Sequence, residues 1–131
     1  MNLRYAYTRL NVENYAACKQ FYQDVLGFKI AFEDDLMEYA ELETGDTKIT
    51  ILNRARLKEY IGKTEVVTYD PHTAKVALTF IVNDLEAAIE DLKTKGVTLV
   101  NPLYNYPGQG FMAACFRDPD GNLIELEQFL T

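Results

Sequence analysis

Hydrophobic and polar residues follow the same order of patterns twice along the chain. Residues 3–12 alternate between apolar and polar positions, which predicts a strand, because successive strand side chains point to opposite faces. Apolar residues at helical spacing follow, between a capping Asn14 and a terminating Gly27. The second copy of this order comprises residues 75–82, a capping Asn83 or Asp84, and Gly96. It lies roughly 70 residues after the first, which predicts an internal duplication.

Three strand-like stretches follow each predicted helix. They are residues 28–33, 37–42 and 47–52 in the first half, and 97–100, 111–116 and 123–129 in the second. The turn sequence Asp118-Pro119-Asp120-Gly121 separates the last two, since Pro presets φ and Gly accepts a positive φ. The chain therefore predicts an α+β fold with the order βαβββ twice. We expect one domain over 1–131, with modules at about 1–54 and 75–131 and a connection at about 55–74. A short helix is expected near residues 55–60 of the connection.

Each predicted strand has an apolar face and a mixed polar face. Leu10 and Val12 in the first strand, and Ile124 and Leu126 in the last, lie on the apolar faces, which we expect to pack against the helices. The polar faces carry the residues that we predict to line a cavity, namely Tyr7, Arg9, Thr50, Thr79 and Glu125.

Composition narrows the classes of function. The net charge is −7, with 20 acidic and 13 basic residues, which argues against a nucleic-acid partner and against an anionic membrane surface. The absence of serine excludes serine-nucleophile chemistry, and a single His excludes sites with two imidazoles from one chain. No apolar run reaches the roughly 18 residues of a membrane span, and the N-terminus lacks the layout of a signal peptide. We expect a cytoplasmic protein, with Cys18 and Cys115 packed as small apolar residues.

Two motifs resemble those of a known family. They are Phe21-Tyr22-Gln23-Asp24-Val25-Leu26-Gly27-Phe28 at the end of the first helix and Asp118-Pro119-Asp120-Gly121-Asn122-Leu123-Ile124-Glu125-Leu126 near the C-terminus. In this order, within a βαβββ duplication, they resemble the vicinal oxygen chelate superfamily, which includes glyoxalase I, bleomycin-resistance proteins and extradiol dioxygenases. The resemblance implies two modules whose curled mixed sheets surround a cavity, usually in a homodimer.

The same resemblance implies a divalent metal held by four residues in the enzymes of the family. Two are His or Gln on the first strand of each module, and two are Glu on the last strand of each. The corresponding positions here carry Tyr7, Ala77, Thr50 and Glu125, so that one of the four is retained. Such a metal needs at least three protein ligands, and we therefore expect no bound metal or other cofactor. His72 lies outside these positions, and a loop histidine is its expected role, with a metal ligand and an interface or pocket residue as the alternatives.

Among the remaining residues, Glu125 is the best candidate for a functional group in the cavity. A carboxylate on a cavity wall is costly to desolvate and needs a partner, for which Arg9 and Tyr7 are candidates. A Glu125–Arg9–Tyr7 cluster could orient a polar small molecule, with Glu125 as an acid or base. It could equally be an ion pair that stabilises the sheets and does nothing more.

Two further segments could border the cavity. Tyr104 and Tyr106 precede the strand that begins at Phe111, in a glycine-rich stretch that is either a lid with ligand contacts or a wide turn. In the connection, a set of residues could face the opposite rim and favour a carboxylate-bearing ligand, or could form a solvated helix face: Arg54, Arg56 and Tyr60.

Three classes of function remain open. The leading hypothesis is a metal-independent protein that sequesters or senses a small organic ligand, in the manner of bleomycin-resistance proteins. The alternative is an enzyme, either a glyoxalase-type lyase or isomerase with a rebuilt metal site or a metal-free acid–base catalyst using Glu125 and Tyr7. The third is a dimerisation scaffold, which would be favoured if Tyr5, Tyr7 and Phe111 filled the cavity.

Overall fold

A computed structural model describes residues 1–2, 4–57, 76–100, 104–106 and 110–130, with the backbone alone for Leu57 and for 104–106. Two compact units, Met1–Tyr69 and Asp70–Thr131, divide the chain, and each contains one of the two predicted modules.

The first unit contains a four-stranded mixed sheet with one main helix. Its elements are β1 (Tyr7–Val12), α1 (Tyr15–Gln20), a π-helical turn (Phe21–Val25), β2 (Ile30–Asp34), β3 (Tyr39–Leu42), β4 (Lys48–Asn53) and a 3₁₀ turn (Arg54–Leu57). The strand order is β1-β4-β3-β2, with β1 and β4 parallel and the other neighbours antiparallel. A short helix was expected near residues 55–60, and the structure has the 3₁₀ turn there up to Leu57. Residues 58–60 lie outside the described part of the chain.

The second unit repeats this arrangement. Its elements are β5 (Ala77–Ile81), α2 (Leu85–Thr94), β6 (Tyr104–Tyr106), β7 (Phe111–Arg117) and β8 (Leu123–Phe129). The strand order is β5-β8-β7-β6, with β5 and β8 parallel and the other neighbours antiparallel. The predicted α+β class and the duplicated module are confirmed.

Both helices begin and end where the sequence predicts. Asn14 Oδ1 accepts a hydrogen bond from Ala17 N at 3.1 Å, and Asp84 Oδ1 accepts one from Ala87 N at 3.0 Å. These caps satisfy amide groups that have no partner in the first helical turn. Gly27 and Gly96 follow the helical segments with φ values of +80° and +82°, a conformation that favours glycine.

The apolar faces of the strands form the core of each unit. Leu10, Val12 and Ile51 are buried in the first unit, where α1 packs on β4. Ile124 and Leu126 are buried in the second, where α2 packs on β7 and β8. The predicted assignment of strand faces is confirmed at these positions.

The predicted strand at residues 97–100 is wrong. In this segment Val100 N donates one hydrogen bond to Cys115 O at 2.8 Å, but β6 is the strand that pairs with β7, with Tyr104 opposite Ala113. The valines favour a strand locally, yet a strand requires a continuous ladder of pairing with its neighbour. The stretch expected to be a lid or a wide turn therefore begins as an edge strand, whereas residues 107–109 lie outside the described part.

Candidate functional site

The candidate site lies on the face of the first sheet that carries the predicted residues Tyr7 and Arg9, here called the open face. Residues paired across neighbouring strands share a face, so two rows of side chains cross it. The Thr50 row consists of Arg9, Thr50, Glu41 and Phe32. The Leu52 row consists of Asn11, Leu52, Tyr39 and Asp34.

A pocket of about 200 Å³ is formed on this face. Three aromatic, two apolar and two charged side chains line it: Tyr7, Phe32, Tyr39, Met37, Leu52, Arg9 and Asp34. Tyr7 is 42% exposed and Phe32 53% exposed, whereas Leu52 is buried. The pocket thus combines a buried apolar centre with aromatic groups that solvent reaches, as in binding sites for small organic molecules.

Tyr39 is held in place by a charged neighbour on its own strand. Its hydroxyl donates to Glu41 Oε2 at 2.7 Å, and Lys48 Nζ donates to Glu41 Oε1 at 3.3 Å. Burial, followed by the hydrogen bond to Glu41, raises the pKa of Tyr39, while that hydrogen bond lowers the pKa of Glu41. At neutral pH the pocket therefore contains a neutral phenol with a fixed orientation, beside an ionised carboxylate.

Thr50 lies between Arg9 and Glu41 in the Thr50 row but is completely buried. Its Oγ1, close to the Tyr39 hydroxyl, makes no hydrogen bond of good geometry among the described residues. The sequence predicted Thr50 as a contact for the ligand; its buried side chain is not among those that line this pocket, and the contact stays a prediction. Alternation along a strand predicts the face on which a residue such as Thr50 lies. It does not predict how deeply neighbouring side chains bury that residue.

The rim of the pocket is a turn fixed by several hydrogen bonds. Asp34 Oδ1 accepts from Leu36 N at 3.1 Å and from Met37 N at 3.2 Å. Arg56 Nη2 donates to Leu36 O at 2.9 Å, so that the 3₁₀ turn holds the rim. Arg56, for which the sequence leaves open a place at the cavity rim or on a solvated helix face, thus binds the backbone of this turn. Arg54, predicted with it, pairs with Glu13 at 3.1 Å, and the predicted Tyr60 lies outside the described residues.

In the second unit, Glu125 has partners that the sequence did not reveal. Thr79 and Cys115 are its neighbours on the adjacent strands, and Cys115 Sγ donates to Glu125 Oε2 at 3.6 Å. Burial raises the pKa of Cys115. A hydrogen bond with Glu125 raises the pKa of Glu127, which favours the protonated form of the Glu127 carboxyl. Cys18 is fully buried as expected, but the expectation for Cys115 was incomplete, because the half-buried thiol touches a carboxylate.

The remaining predicted site residues are placed as follows. Tyr7 and Arg9 line the pocket of the first unit, and exposed Thr79 lies beside Glu125 in the second. Phe111 is half-buried at the start of β7, and the side chains of Tyr104 and Tyr106 lie outside the described part. The proposed Glu125–Arg9–Tyr7 cluster joins residues of different units and stays a prediction.

Side chains filling the pocket would have favoured the scaffold hypothesis. Tyr5 is two-thirds exposed and takes no part in the lining, and Tyr7 forms part of a wall around open volume. Several lining residues were missed, namely Phe32, Asp34, Met37, Tyr39 and Leu52. The alternation of residues in the second and third strands could have predicted that most of them lie on the open face. For example, Tyr39 and Glu41 alternate with the buried Ala40 and Leu42.

In each unit, the two positions implied for a metal lie on paired parallel strands in the same register. Thr50 pairs with the residue two beyond Tyr7, and Glu125 pairs with the residue two beyond Ala77. Their side chains do not fit a divalent metal, since alanine has no donor atom and the Thr50 hydroxyl is buried. Among the described residues, no group of three or more His, Cys, Asp or Glu could hold a metal ion. His72 lies outside them.

Replacing Glu127 with Gln is expected to stabilise the second unit at about pH 8 by about 0.5 kcal/mol, the cost typical of adjacent like charges on a sheet. The pKa of Glu127 is higher in the folded protein than in the unfolded chain. Its bound proton therefore stabilises the fold fully at a pH below the ordinary glutamate pKa, and this stabilisation is lost as the pH rises through the raised pKa. Urea unfolding at about pH 4 and about pH 8 measures this difference, with the exposed Glu90→Gln as control. An equal gain at both pH values would refute the raised pKa of Glu127.

Comparisons with known proteins identify the family. The model of the Glyoxalase/Bleomycin resistance protein/Dioxygenase superfamily matches residues 4–126. The uncharacterized protein YraH of Bacillus subtilis (strain 168) is 35% identical over 122 residues, which are 93% of this chain and 95% of YraH.

Solved structures show the same fold. A glyoxalase/bleomycin resistance protein/dioxygenase from Nocardioides matches with a TM-score of 0.76 and 19% identity, over 99% of this chain and 87% of its own. A lactoylglutathione lyase from Agrobacterium tumefaciens matches with a TM-score of 0.73 and 15% identity, over 95% of this chain and 92% of its own. None of the described helices is long and apolar enough to cross a membrane. The chain belongs to the Glyoxalase/Bleomycin resistance protein/Dioxygenase superfamily, which is the vicinal oxygen chelate superfamily that its two motifs resemble.

Proposed function

We propose that this protein binds a small organic molecule in the open-face pocket of its first unit and does so without a metal ion. The observation that carries the proposal is the lining, in which buried Leu52 and fixed Tyr39 lie between the charged residues Arg9 and Asp34. Apolar surface with a few polar groups at defined positions is the usual composition of such a site.

The volume of the pocket suits a single ring or a group of similar size. A cavity of about 150 Å³ is enough to bind benzene. Sites for drug-sized ligands begin at about 300 Å³. At about 200 Å³ the pocket lies between these values. Its three aromatic side chains favour a flat, unsaturated ligand, because aromatic rings attract one another by edge and offset contacts.

Independence from a metal is supported by the donor set. Three of the four positions that hold the metal in the enzymes of the family carry Tyr7, Thr50 and Ala77, and none of these supplies a carboxylate or an imidazole. Without a metal, the protein would sequester or sense its ligand. We also propose that it acts in the cytoplasm and assembles as a homodimer.

A second candidate function, acid–base catalysis, is favoured by the carboxyl pair of the second unit. The hydrogen bond with Glu125 raises the pKa of Glu127, so the Glu127 carboxyl holds its proton to a higher pH than an isolated carboxyl does. Chemical conversion of a bound compound by the protein, lost in Glu125→Gln, would favour this function. Recovery of the compound unchanged would favour sequestration or sensing.

The binding proposal is tested by titrating the chelator-treated protein with compounds that contain one aromatic ring. We expect at least one of para-toluate, para-methylbenzylamine, para-methylbenzyl alcohol and para-(aminomethyl)benzoate to bind with a Kd of about 1 mM or tighter. Proton–nitrogen correlation spectra should show shifts centred on Arg9, Met37 and Leu52. Absence of shifts with all four compounds, or shifts that require an added divalent metal, would overturn the proposal.

A further inference from the structure

The pocket carries charges of opposite sign from opposite edges of its sheet. Arg9 belongs to edge strand β1, Asp34 belongs to edge strand β2, and both line the pocket. Three strand spacings separate the two backbones, which is about 14 Å. On the two strands between them, the residues that line the pocket are the uncharged Leu52 and Tyr39, whereas the Glu41 carboxylate, bound to the Tyr39 hydroxyl, is not part of the lining. A ligand in the pocket therefore meets a cation at one end and a carboxylate at the other.

Arg9 is oriented by a neighbour on its own strand. Its Nε donates to Asn11 Oδ1 at 3.0 Å, which fixes the plane of the guanidinium group. Guanidinium carries five N–H donors in a rigid fork, so that an arginine with protein partners can still bind a carboxylate. Charge-assisted contacts of this kind are about twice as strong as neutral ones.

Asp34 is oriented by the turn that follows it. Both of its hydrogen bonds, from Leu36 N and Met37 N, go to Oδ1. This leaves Oδ2 without a hydrogen bond among the described residues. An amine or another strong donor on the ligand would supply one.

Aromatic groups flank the space between the two charges. The rings of Phe32 and Tyr39 lie 6.2 Å apart between centroids, tilted by 56°, and Tyr7 lines the same pocket. A benzene ring of the ligand can contact such tilted rings by its edge or its face. Met37, with its flexible thioether, adapts to the remaining volume.

We propose that the ligand is a compact aromatic compound with a carboxylate at one end and an amino group at the other. This rests on the proposed binding function of the same pocket. The carboxylate binds Arg9, the amino group binds Asp34 Oδ2, and the ring lies over Leu52 and Tyr39.

The matched probes named above differ in charge at constant ring size, which makes the test specific. We expect para-(aminomethyl)benzoate to bind at least tenfold more tightly than para-toluate or para-methylbenzylamine, and para-methylbenzyl alcohol to bind most weakly. Added salt should weaken the zwitterion more than the alcohol. These comparisons use the unmodified protein and do not depend on the folding of any variant.

Variants then assign each charge to its end of the ligand. Arg9→Gln should lower the affinity for para-toluate at least fivefold without lowering that for para-methylbenzylamine, because the lost cation repels the ammonium group. Asp34→Asn, which keeps an acceptor for the turn amides, should lower the affinity for para-methylbenzylamine at least fivefold without lowering that for para-toluate. The exposed Lys29→Gln is the charge-matched control and should change neither affinity.

The outcomes separate the two proposals. If the alcohol binds as tightly as the zwitterion, or if Arg9→Gln and Asp34→Asn affect both singly charged probes alike, the assignment of the ligand is wrong while the binding function stands. If none of the four probes binds in the first unit, both proposals fail.

Discussion

Replacing Met37 with Trp is expected to lower the affinity for para-(aminomethyl)benzoate at least tenfold. Met37 lies at the rim and its side chain lines the pocket, so that an indole at this position occupies volume that the ligand needs. The backbone of the turn is held by Asp34 Oδ1 and by Arg56, and neither contact involves the Met37 side chain. Titration followed by proton–nitrogen correlation spectra measures the loss, and thermal unfolding confirms that the fold is retained.

The neighbouring residue supplies a matched control. Leu36 belongs to the same turn, but it is 88% exposed and its side chain takes no part in the lining. Leu36→Trp adds an indole to the same segment without filling the pocket, and binding should remain within twofold of the unmodified protein. Equal losses in both variants would show that the turn, rather than the volume behind Met37, governs binding.

Replacing Asp118 with Ala is expected to cost about 3 kcal/mol of stability, the largest effect among the substitutions considered. The buried carboxylate accepts hydrogen bonds from Asp120 N and Asn122 N at 2.9 Å, and from Asn122 Nδ2 at 2.8 Å. Alanine removes all three bonds in a site where water cannot replace them freely. Equilibrium unfolding in urea measures the loss as a lower midpoint with an unchanged slope.

Two further substitutions show whether this loss comes from the hydrogen bonds. Asp118→Asn keeps an acceptor for the two backbone amides and should cost roughly half as much. Asp46→Ala alters an exposed residue of the corresponding turn in the first unit and should change stability by less than about 0.5 kcal/mol. A cost below about 1 kcal/mol for Asp118→Ala would mean that the turn does not depend on its carboxylate.

Local sequence signals predicted most of the fold because the features they report are local. Asn14 and Asp84 cap helices through amides three residues away, and Gly27 and Gly96 end helical segments with positive φ. Alternation gave the faces of the strands, since it depends on backbone geometry alone. The duplicated order of elements followed from these signals together.

The pocket could be predicted only in part, because its lining depends on register between strands distant in the chain. Tyr7 and Arg9 were found by alternation, yet Asp34 reaches the same pocket through the pairing of β2 with β3, across a register shift between Ile30 and Phe32. Met37 enters through the geometry of a turn. The edge strand at Tyr104–Tyr106 was missed for the same reason, since its pairing with β7 is a tertiary choice.

The most direct test of the central claim is a measurement of intermolecular nuclear Overhauser effects between the ring protons of para-(aminomethyl)benzoate and the methyl groups of the chelator-treated protein. We predict contacts to the methyl groups of Leu52 and Met37, which line the pocket of the first unit. Contacts to methyl groups of the second unit, such as those of Ile81, without contacts to Leu52 or Met37 would contradict the account. A requirement for added metal would contradict it as well.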